Sequence, residues 1–251
     1  MFTLAAFYES VDPAGAFNSL TPVPDQHLTV SGDDLRIPEK LTSIIGVAAL
    51  INDLTVAPRV QLQSPSLRAF VNPDIQPIVN GLVFGSPAEA IFHPEAPIVL
   101  VPDESLNFAA LSNPAAAVVH YGLVWLAEGP QQTVKGTAFS LRATAACALS
   151  AGLWINGALT FSQTLPAGRY AIIGMRAVGT NLVAARLVFI GGVWRPGVPA
   201  VNLAADHDTR YQRYGNLGVF GEFDSTTPPS VDCLGVTDTA QEFIFDLIRV
   251  R

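Results

Sequence analysis

Charge is scarce in this chain, and positive charge is scarcer than negative. Only 14% of the 251 residues are charged, against about 25% in an average soluble domain, and the net charge is −7. The basic residues are scattered singly, whereas a protein that binds nucleic acid directly needs them clustered to displace counterions from phosphates. Direct binding of DNA or RNA is therefore rejected as the main task. So neutral a chain favours a subunit of an assembly over a freely diffusing monomer.

Histidine and cysteine are also rare. No histidine has a second one at metal-ligand spacing, and the His-x-His with a following Glu of a cupin-type site is missing; the four are His27, His93, His120 and His207. Cys147 and Cys233 stand apart in apolar or small-residue surroundings, which predicts two buried free thiols. We expect no cofactor and no metal.

Motifs for catalysis are missing as well. The chain has neither a Gly-x-Ser-x-Gly elbow nor a phosphate-binding P-loop. The carboxylate pairs Asp33-Asp34 and Asp103-Glu104 fall in turn contexts without an inferable apolar pocket, which disfavours a general acid. Asp206-His207-Asp208 is the one dense polar cluster; its alternating oxygen ligands suit Ca²⁺, but the glycine and terminal acid of an EF-hand loop are lacking. We predict a solvated loop or an inter-subunit salt-bridge patch there, leave ion binding open, and predict that the protein is not an enzyme.

Long hydrophobic runs do not occur. The most apolar stretches, 115–127 and 171–192, are short or interrupted by His120, Arg176, Asn181 and Arg186, so neither predicts a membrane span. The first residues lack the basic region and the small-residue cleavage site of a secretory signal. A soluble protein that matures without processing is expected.

Turn formers, by contrast, recur every 8 to 15 residues, as at Asn80-Gly81, Pro166-Ala167-Gly168 and Pro228-Pro229. Short segments rich in Val, Ile, Thr, Phe and Tyr lie between them, which is typical of a sandwich or barrel of many strands. Residues 137–145 alternate apolar and polar side chains, as a half-buried strand does. We predict an all-β fold, with a helical pattern only at the extreme N-terminus and around 87–91.

An internal repeat gives the domain organisation. Residues 37–57 align without a gap with residues 165–185, which lie 128 positions later, and seven of 21 positions are identical. The identical pairs are Pro38/Pro166, Ile44/Ile172, Ile45/Ile173, Gly46/Gly174, Ala49/Ala177, Leu54/Leu182 and Ala57/Ala185. Later, 83–85 matches 219–221, and each half closes on an apolar strand. We predict two similar domains, 1–129 and 130–251, joined at Glu128-Gly129-Pro130.

Two successive sandwiches in one acidic, charge-poor chain of this size resemble the double jelly-roll major capsid proteins of icosahedral viruses. Residues 165–179 followed by 182–190 also resemble a strand pair of phage coat proteins. The resemblance implies two tandem jelly-roll β-sandwiches and a homotrimer that forms a pseudo-hexagonal tile of a virion shell, made in the host cytoplasm. It also implies contacts with neighbouring capsomers, with penton or minor capsid proteins and with an internal membrane.

Two other functions stay open at this point. A carbohydrate-binding or receptor-binding sandwich, of spike or lectin type, would stack sugars on exposed aromatic side chains, for which Trp154, Trp194 and Tyr211 are candidates. An enzyme on a tandem cupin-like scaffold is disfavoured by the missing metal ligands.

The N-terminal segment, residues 1–20, is apolar and needs a cover, because such a tail exposed to water would invite aggregation. It either supplies the first strand of its own sandwich or reaches a neighbouring subunit or the inner face of the shell. Its lack of Lys and Arg argues against contact with genome or anionic lipid.

Overall fold

A computed structural model describes residues 1–11, 16–51, 59–64, 74–75, 78–79, 90–111, 118–201 and 217–250. Within these ranges the chain is all-β and contains no helix, which confirms the predicted fold class. The strands of the first half are β1 (Phe2–Val11), β2 (Asn18–Ser19), β3 (Thr21–Pro22), β4 (Thr29–Ser31), β5 (Asp34–Arg36), β6 (Ser43–Ile51), β7 (Arg59–Gln63), β8 (Asp74–Ile75), β9 (Ile78–Val79), β10 (Ala90–Phe92), β11 (Ile98–Val99), β12 (Ser105–Leu111) and β13 (Val118–Ala127). Those of the second half are β14 (Ala138–Ala145), β15 (Ile155–Ala158), β16 (Thr160–Phe161), β17 (Arg169–Val178), β18 (Leu182–Val188), β19 (Gly197–Val201), β20 (Gly221–Asp224), β21 (Ser230–Gly235) and β22 (Gln241–Arg249).

The first half forms two sheets. Sheet 1 has the order β4-β5-β12-β7-β8, with β2 also paired to β12, and sheet 2 has the order β10-β6-β13-β1-β3, with β9 and β11 also paired to β6. In the second half, sheet 3 has the order β15-β21-β18-β19 and sheet 4 the order β17-β22-β14-β16, with β20 also paired to β17. β19 pairs with both β18 and β17, so that sheets 3 and 4 are continuous at this strand.

Both halves use one strand order. When the eight main strands of a half are numbered along the chain, one sheet runs 1-8-3-6 and the other runs 2-7-4-5. These strands are β1, β5, β6, β7, β8, β10, β12 and β13 in the first half, and β14, β15, β17, β18, β19, β20, β21 and β22 in the second. A two-sheet arrangement of eight antiparallel strands in this order is a jelly roll.

The repeat in the sequence matches the repeat in the fold, down to one irregularity. Pairing of β6 with β13 skips Ile45, and pairing of β17 with β22 skips Ile173, the residue 128 positions later. Each skipped residue is a β-bulge next to a glycine, Gly46 or Gly174, within its strand. Residues 44–49 and 172–177 therefore lie on equivalent strands, as the repeat predicts. Leu54, Ala57 and residues 83–85, which belong to the same comparison, lie outside the described residues.

Residues 2–11 of the N-terminal segment form a strand and not a helix. β1 pairs with β13 over its whole length and with β3 on its other side, and Phe2, Leu4 and Phe7 are buried. The helical pattern predicted at the N-terminus is therefore wrong, and the segment supplies the first strand of its own sandwich. Of the other predicted helical stretch, 90–91 lies in β10 and 87–89 lies outside the described residues.

The four sheets are stacked in the order 1, 2, 3, 4. Alternate residues of sheet 2 face opposite ways: Ala5 and Val124 pack in the core shared with sheet 1, whereas Leu4 and Trp125 pack in the core shared with sheet 3. Sheet 2 is consequently buried on both faces, and all nine residues of β6 are buried. In the outermost sheet 4, one face of β14 is exposed to solvent.

The connection between the halves runs from β13, which ends at Ala127, to β14, which begins at Ala138. Gly129 has a φ of +66°, a conformation that favours glycine. The predicted boundary falls in this connection, and the division into domains 1–129 and 130–251 stays a prediction.

Candidate functional site

A buried arginine joins the two halves. Arg186 extends from β18 toward sheet 2, and its side chain is only 4% exposed. It forms ion pairs with Asp25, from the segment between β3 and β4, and with Asp232 of β21 at 3.1 Å. It also donates a hydrogen bond to the Leu4 carbonyl of β1 at 3.2 Å. One cation therefore pairs with a carboxylate from each half.

A second arginine lies beside it. Nη2 of Arg195 is 2.8 Å from Nε2 of His27, and because a guanidinium only donates, Nε2 of His27 is the acceptor in this contact. Burial, followed by repulsion from Arg186, lowers the pKa of Arg195. We call Asp25, His27, Arg186, Arg195 and Asp232 the seam cluster. It lines a cavity of about 330 Å³.

The candidate sugar-stacking tryptophans are used inside the protein. The guanidinium carbon of Arg186 lies 4.1 Å from the centre of the Trp154 ring, a cation–π contact, and Trp154 also packs against the core. Trp194 is buried and donates a hydrogen bond from Nε1 to Glu128 at 2.7 Å. Trp194 is therefore not an open stacking platform, Trp154 is half-buried with Arg186 over its ring, and Tyr211 lies outside the described residues.

Backbone carbonyls of sheet 3 also accept hydrogen bonds from side chains of sheet 2. Trp125 donates from Nε1 to the Gly197 carbonyl at 2.8 Å, and Tyr121 donates its hydroxyl to the Gly235 carbonyl at 3.1 Å. Burial raises the pKa of Tyr121, so it stays a donor at any physiological pH. These directional bonds define how the halves meet, which apolar packing alone does not do.

The histidines that the structure describes are far from forming one site. His93 is exposed, and His27 belongs to the seam cluster. His120 is buried in β13, where desolvation lowers its pKa to about 4. In the described ranges no three side chains of His, Cys, Asp or Glu are grouped as a metal ion requires. His207 and the whole Asp206-His207-Asp208 cluster lie outside these ranges.

The two carboxylate pairs differ from each other. Asp33 is exposed in the turn between β4 and β5, and Asp34 is exposed as the first residue of β5. Asp103 is exposed, but Glu104 is buried and its Oε2 has no hydrogen-bond partner among the described residues. The burial of Glu104 is a feature that the sequence did not predict.

An open groove lies where the connection between the halves meets the turn from β18 to β19. It has a volume of about 620 Å³ and is lined by Met1, Lys40, Glu128, Ile190 and Val193, among others. Ile190 is 81% exposed and Val193 52% exposed. Contiguous exposed apolar side chains with a charged rim are typical of contact surfaces. We call this feature the end groove.

Sequence reasoning noticed Arg186 only as an interruption of an apolar stretch. That interruption was the available signal, because a charged residue inside a buried strand has to be paired. Its partners could not be found in this way, since Asp25 lies 161 positions away and Asp232 lies 46 positions away.

No helical segment of the described ranges has the length and apolarity to cross a bilayer.

No family model and no curated protein matches this chain. Among solved structures, the chain is similar to the major capsid protein P2 from bacteriophage PM2. The identity is 12%, the match covers 100% of this chain and 98% of that chain, and the TM-score is 0.25. A TM-score of this size carries no argument about function.

Proposed function

We propose that this chain is a self-assembling shell subunit, the major capsid protein of an icosahedral virus, with no enzymatic activity. The observation that carries the proposal is the repeated strand order. Two jelly rolls of the same connectivity are stacked in one chain. This is the architecture that the resemblance of the sequence to double jelly-roll capsid proteins implies. Three such chains around an axis present six similar sandwiches, which form a pseudo-hexagonal tile.

The interior of the stack supports this role. A tile in a shell has to transmit load between its two sandwiches without hinging. Sheets 2 and 3 share one apolar core, and the ion pairs of Arg186 and the hydrogen bonds of Trp125 and Tyr121 cross it. Such a contact between the halves is suited to a rigid building block and leaves no hinge between them.

The surface supports it as well. A subunit that contacts neighbours on several sides needs neutral, apolar contact areas, and the chain has few charges. Ile190 and Val193 at the end groove are exposed apolar side chains of this kind. We propose a second copy of the chain as their partner, the homotrimer as the state in solution, and the virion as the location. Penton or minor capsid proteins and an internal membrane are the further partners that the resemblance suggests.

The oligomeric state of the purified protein tests the proposal. We expect a trimer, or larger shells, by native mass spectrometry and negative-stain electron microscopy. Ile190→Asp is expected to lower the trimer fraction while far-ultraviolet circular dichroism stays unchanged, because it places a charge in the proposed contact. Gln163→Glu is the matched control, since it adds a negative charge at an exposed position elsewhere.

A monomer at all concentrations would contradict the shell role. A monomer that binds a glycan array would favour the carbohydrate-binding alternative instead. A stable trimer that Ile190→Asp leaves intact would retain the role and move the contact away from the end groove.

A further inference from the structure

The two cysteines of the chain meet inside the second half. Both side chains are fully buried in one core. Cys233 lies on β21 in sheet 3, directly opposite Ile155 of β15. Cys147 follows β14 of sheet 4 by two residues. The two thiols therefore approach each other from different sheets and across 86 positions of sequence.

A glycine makes room for this approach. Gly157 is two residues from Ile155 on β15 and faces the same way, diagonally across from Cys233. A Cβ at Gly157 would lie 2.6 Å from Sγ of Cys147, so the sulfur occupies the space that any other side chain would fill. The two thiols face each other across this space, close enough for each to shift the pKa of the other.

The backbone of Cys147 is held in place. Its N–H donates to Oε1 of Gln241 at 2.8 Å, and its carbonyl accepts from Nε2 of Gln241 at 3.1 Å, both in the interior. Gln241 is the first residue of β22, the neighbour of β14 in sheet 4. These two bonds fix the backbone of Cys147, and its side chain is fully buried.

The two thiols differ in acidity. The neighbouring Cys233 thiol stabilises a thiolate at Cys147 and lowers the pKa of Cys147. The same contact, together with burial, raises the pKa of Cys233. Because the thiolate is the reactive form, the lower pKa favours Cys147 as the thiol that attacks an oxidant admitted by local opening, with Cys233 as the resolving thiol.

We propose that Cys147 and Cys233 form an intramolecular disulfide when the protein meets a peroxide. The Cys147 thiolate attacks one oxygen of hydrogen peroxide, the O–O bond breaks, and hydroxide leaves as the sulfur is oxidised to a sulfenic acid. The Cys233 sulfur then attacks that sulfur, so that the S–S bond forms, the S–O bond breaks, and water leaves with the Cys233 proton. In total, two thiols and one peroxide give one disulfide and two waters.

The cross-link would join sheet 3 to sheet 4. Closing a loop of 86 positions restricts the unfolded chain, and for a chain of this size we expect the unfolding midpoint to rise by about 10 °C. Oxidation should be slow, because fully buried thiols react only through local opening. A shell made in a reducing cytoplasm and released into an oxidising medium would gain stability after release; this consequence, unlike the disulfide, rests on the proposed function.

Peroxide treatment of the purified full chain tests the proposal. We expect the titratable thiols, counted after unfolding, to fall from two to none, the intact mass to decrease by two hydrogen atoms, and a non-reducing peptide map to show the 147 and 233 peptides joined. The unfolding midpoint should rise and should return to its initial value with dithiothreitol.

Cys147→Ala and Cys233→Ala are the matched controls, since each leaves one thiol without a partner. Peroxide should not raise the midpoint of either variant, and Cys233→Ala should gain oxygen atoms where the wild type loses hydrogen. Should a variant not fold, the wild-type peptide map decides alone. Two thiols still titratable after peroxide, oxygen added to the wild type, or disulfides only between chains would each overturn the proposal, whatever the oligomeric state.

Discussion

Removing the charge of Arg186 is the sharpest test of how the two halves are held together. Arg186→Met keeps an unbranched apolar side chain in place of the arginine stem but deletes the guanidinium. Asp25 and Asp232 then lose their ion pairs and keep only Arg195 as a nearby cation, and the Leu4 carbonyl loses a donor. The contact of the guanidinium with the Trp154 ring is lost as well.

The expected cost is large because the charges are buried. The side chains of Arg186 and Asp25 are each 4% exposed and that of Asp232 is 13% exposed. Removing one partner of a buried ion pair costs about 3–5 kcal/mol, because it leaves an uncompensated charge away from water. With two carboxylates affected, we expect a loss of about 4 kcal/mol, a large part of the roughly 5–15 kcal/mol by which a native protein is stable.

Urea denaturation, followed by tryptophan fluorescence and by circular dichroism, measures this loss. Arg169→Met is the matched control, since Arg169 forms an equally close pair with Glu222, at 2.7 Å, but the side chains are 54% and 35% exposed. An exposed pair of this kind contributes about 0–1 kcal/mol. Adding Asp25→Asn and Asp232→Asn to Arg186→Met should restore most of the stability, because the unpaired charges are then gone.

Equal losses for Arg186→Met and Arg169→Met, within about 1 kcal/mol, the value of an exposed pair, would refute the reasoning. Failure of the two asparagine substitutions to restore stability would show that the cost arises from packing and not from the buried charge.

Two further predictions concern the first half. His120 is neutral in the folded protein, with a pKa of about 4 against 6.5 for an unperturbed imidazole, so below pH 6.5 the unfolded chain binds a proton that the native state does not. The free energy of unfolding should therefore fall by about 3 kcal/mol as the pH drops from 6.5 to 4, and His120→Leu should flatten this pH dependence in urea titrations; an unchanged slope would disprove it. Gly122→Ala would place a Cβ 2.6 Å from the Phe108 ring and should cost about 1–3 kcal/mol through overpacking. Phe108→Leu should recover part of that loss, and no change in the denaturation midpoint of Gly122→Ala would contradict the packing seen here.

The local pattern of apolar and polar residues was sufficient to predict the outer strands and the repeat. Apolar and polar residues alternate in β14 because one face of the strand is buried and the other is exposed to solvent. This period of two residues can be read directly from the sequence. The alignment of Ile45 with Ile173 also predicted that β6 and β17 are equivalent strands of the two halves. It could do so because a bulge next to a glycine is a local feature.

The same kind of pattern failed for β1. Sheet 2 is covered by sheet 1 on one face and by sheet 3 on the other, so Leu4 and Ala5 are both buried although they point in opposite directions. A strand buried on both faces has no alternation of apolar and polar residues. Its apolar run therefore fits a buried helix as well as a strand.

The amino-acid sequence by itself determined that the chain is all-β and that its two halves repeat one pattern. Only the tertiary structure decided which residues meet at the seam cluster. Arg186 and Asp25 are joined because sheet 2 of one half stacks on sheet 3 of the other, and Cys147 reaches Cys233 because Gly157 leaves room between two sheets. Contacts of this kind depend on how whole sheets stack, and the spacing of residues along the chain carries no record of that arrangement.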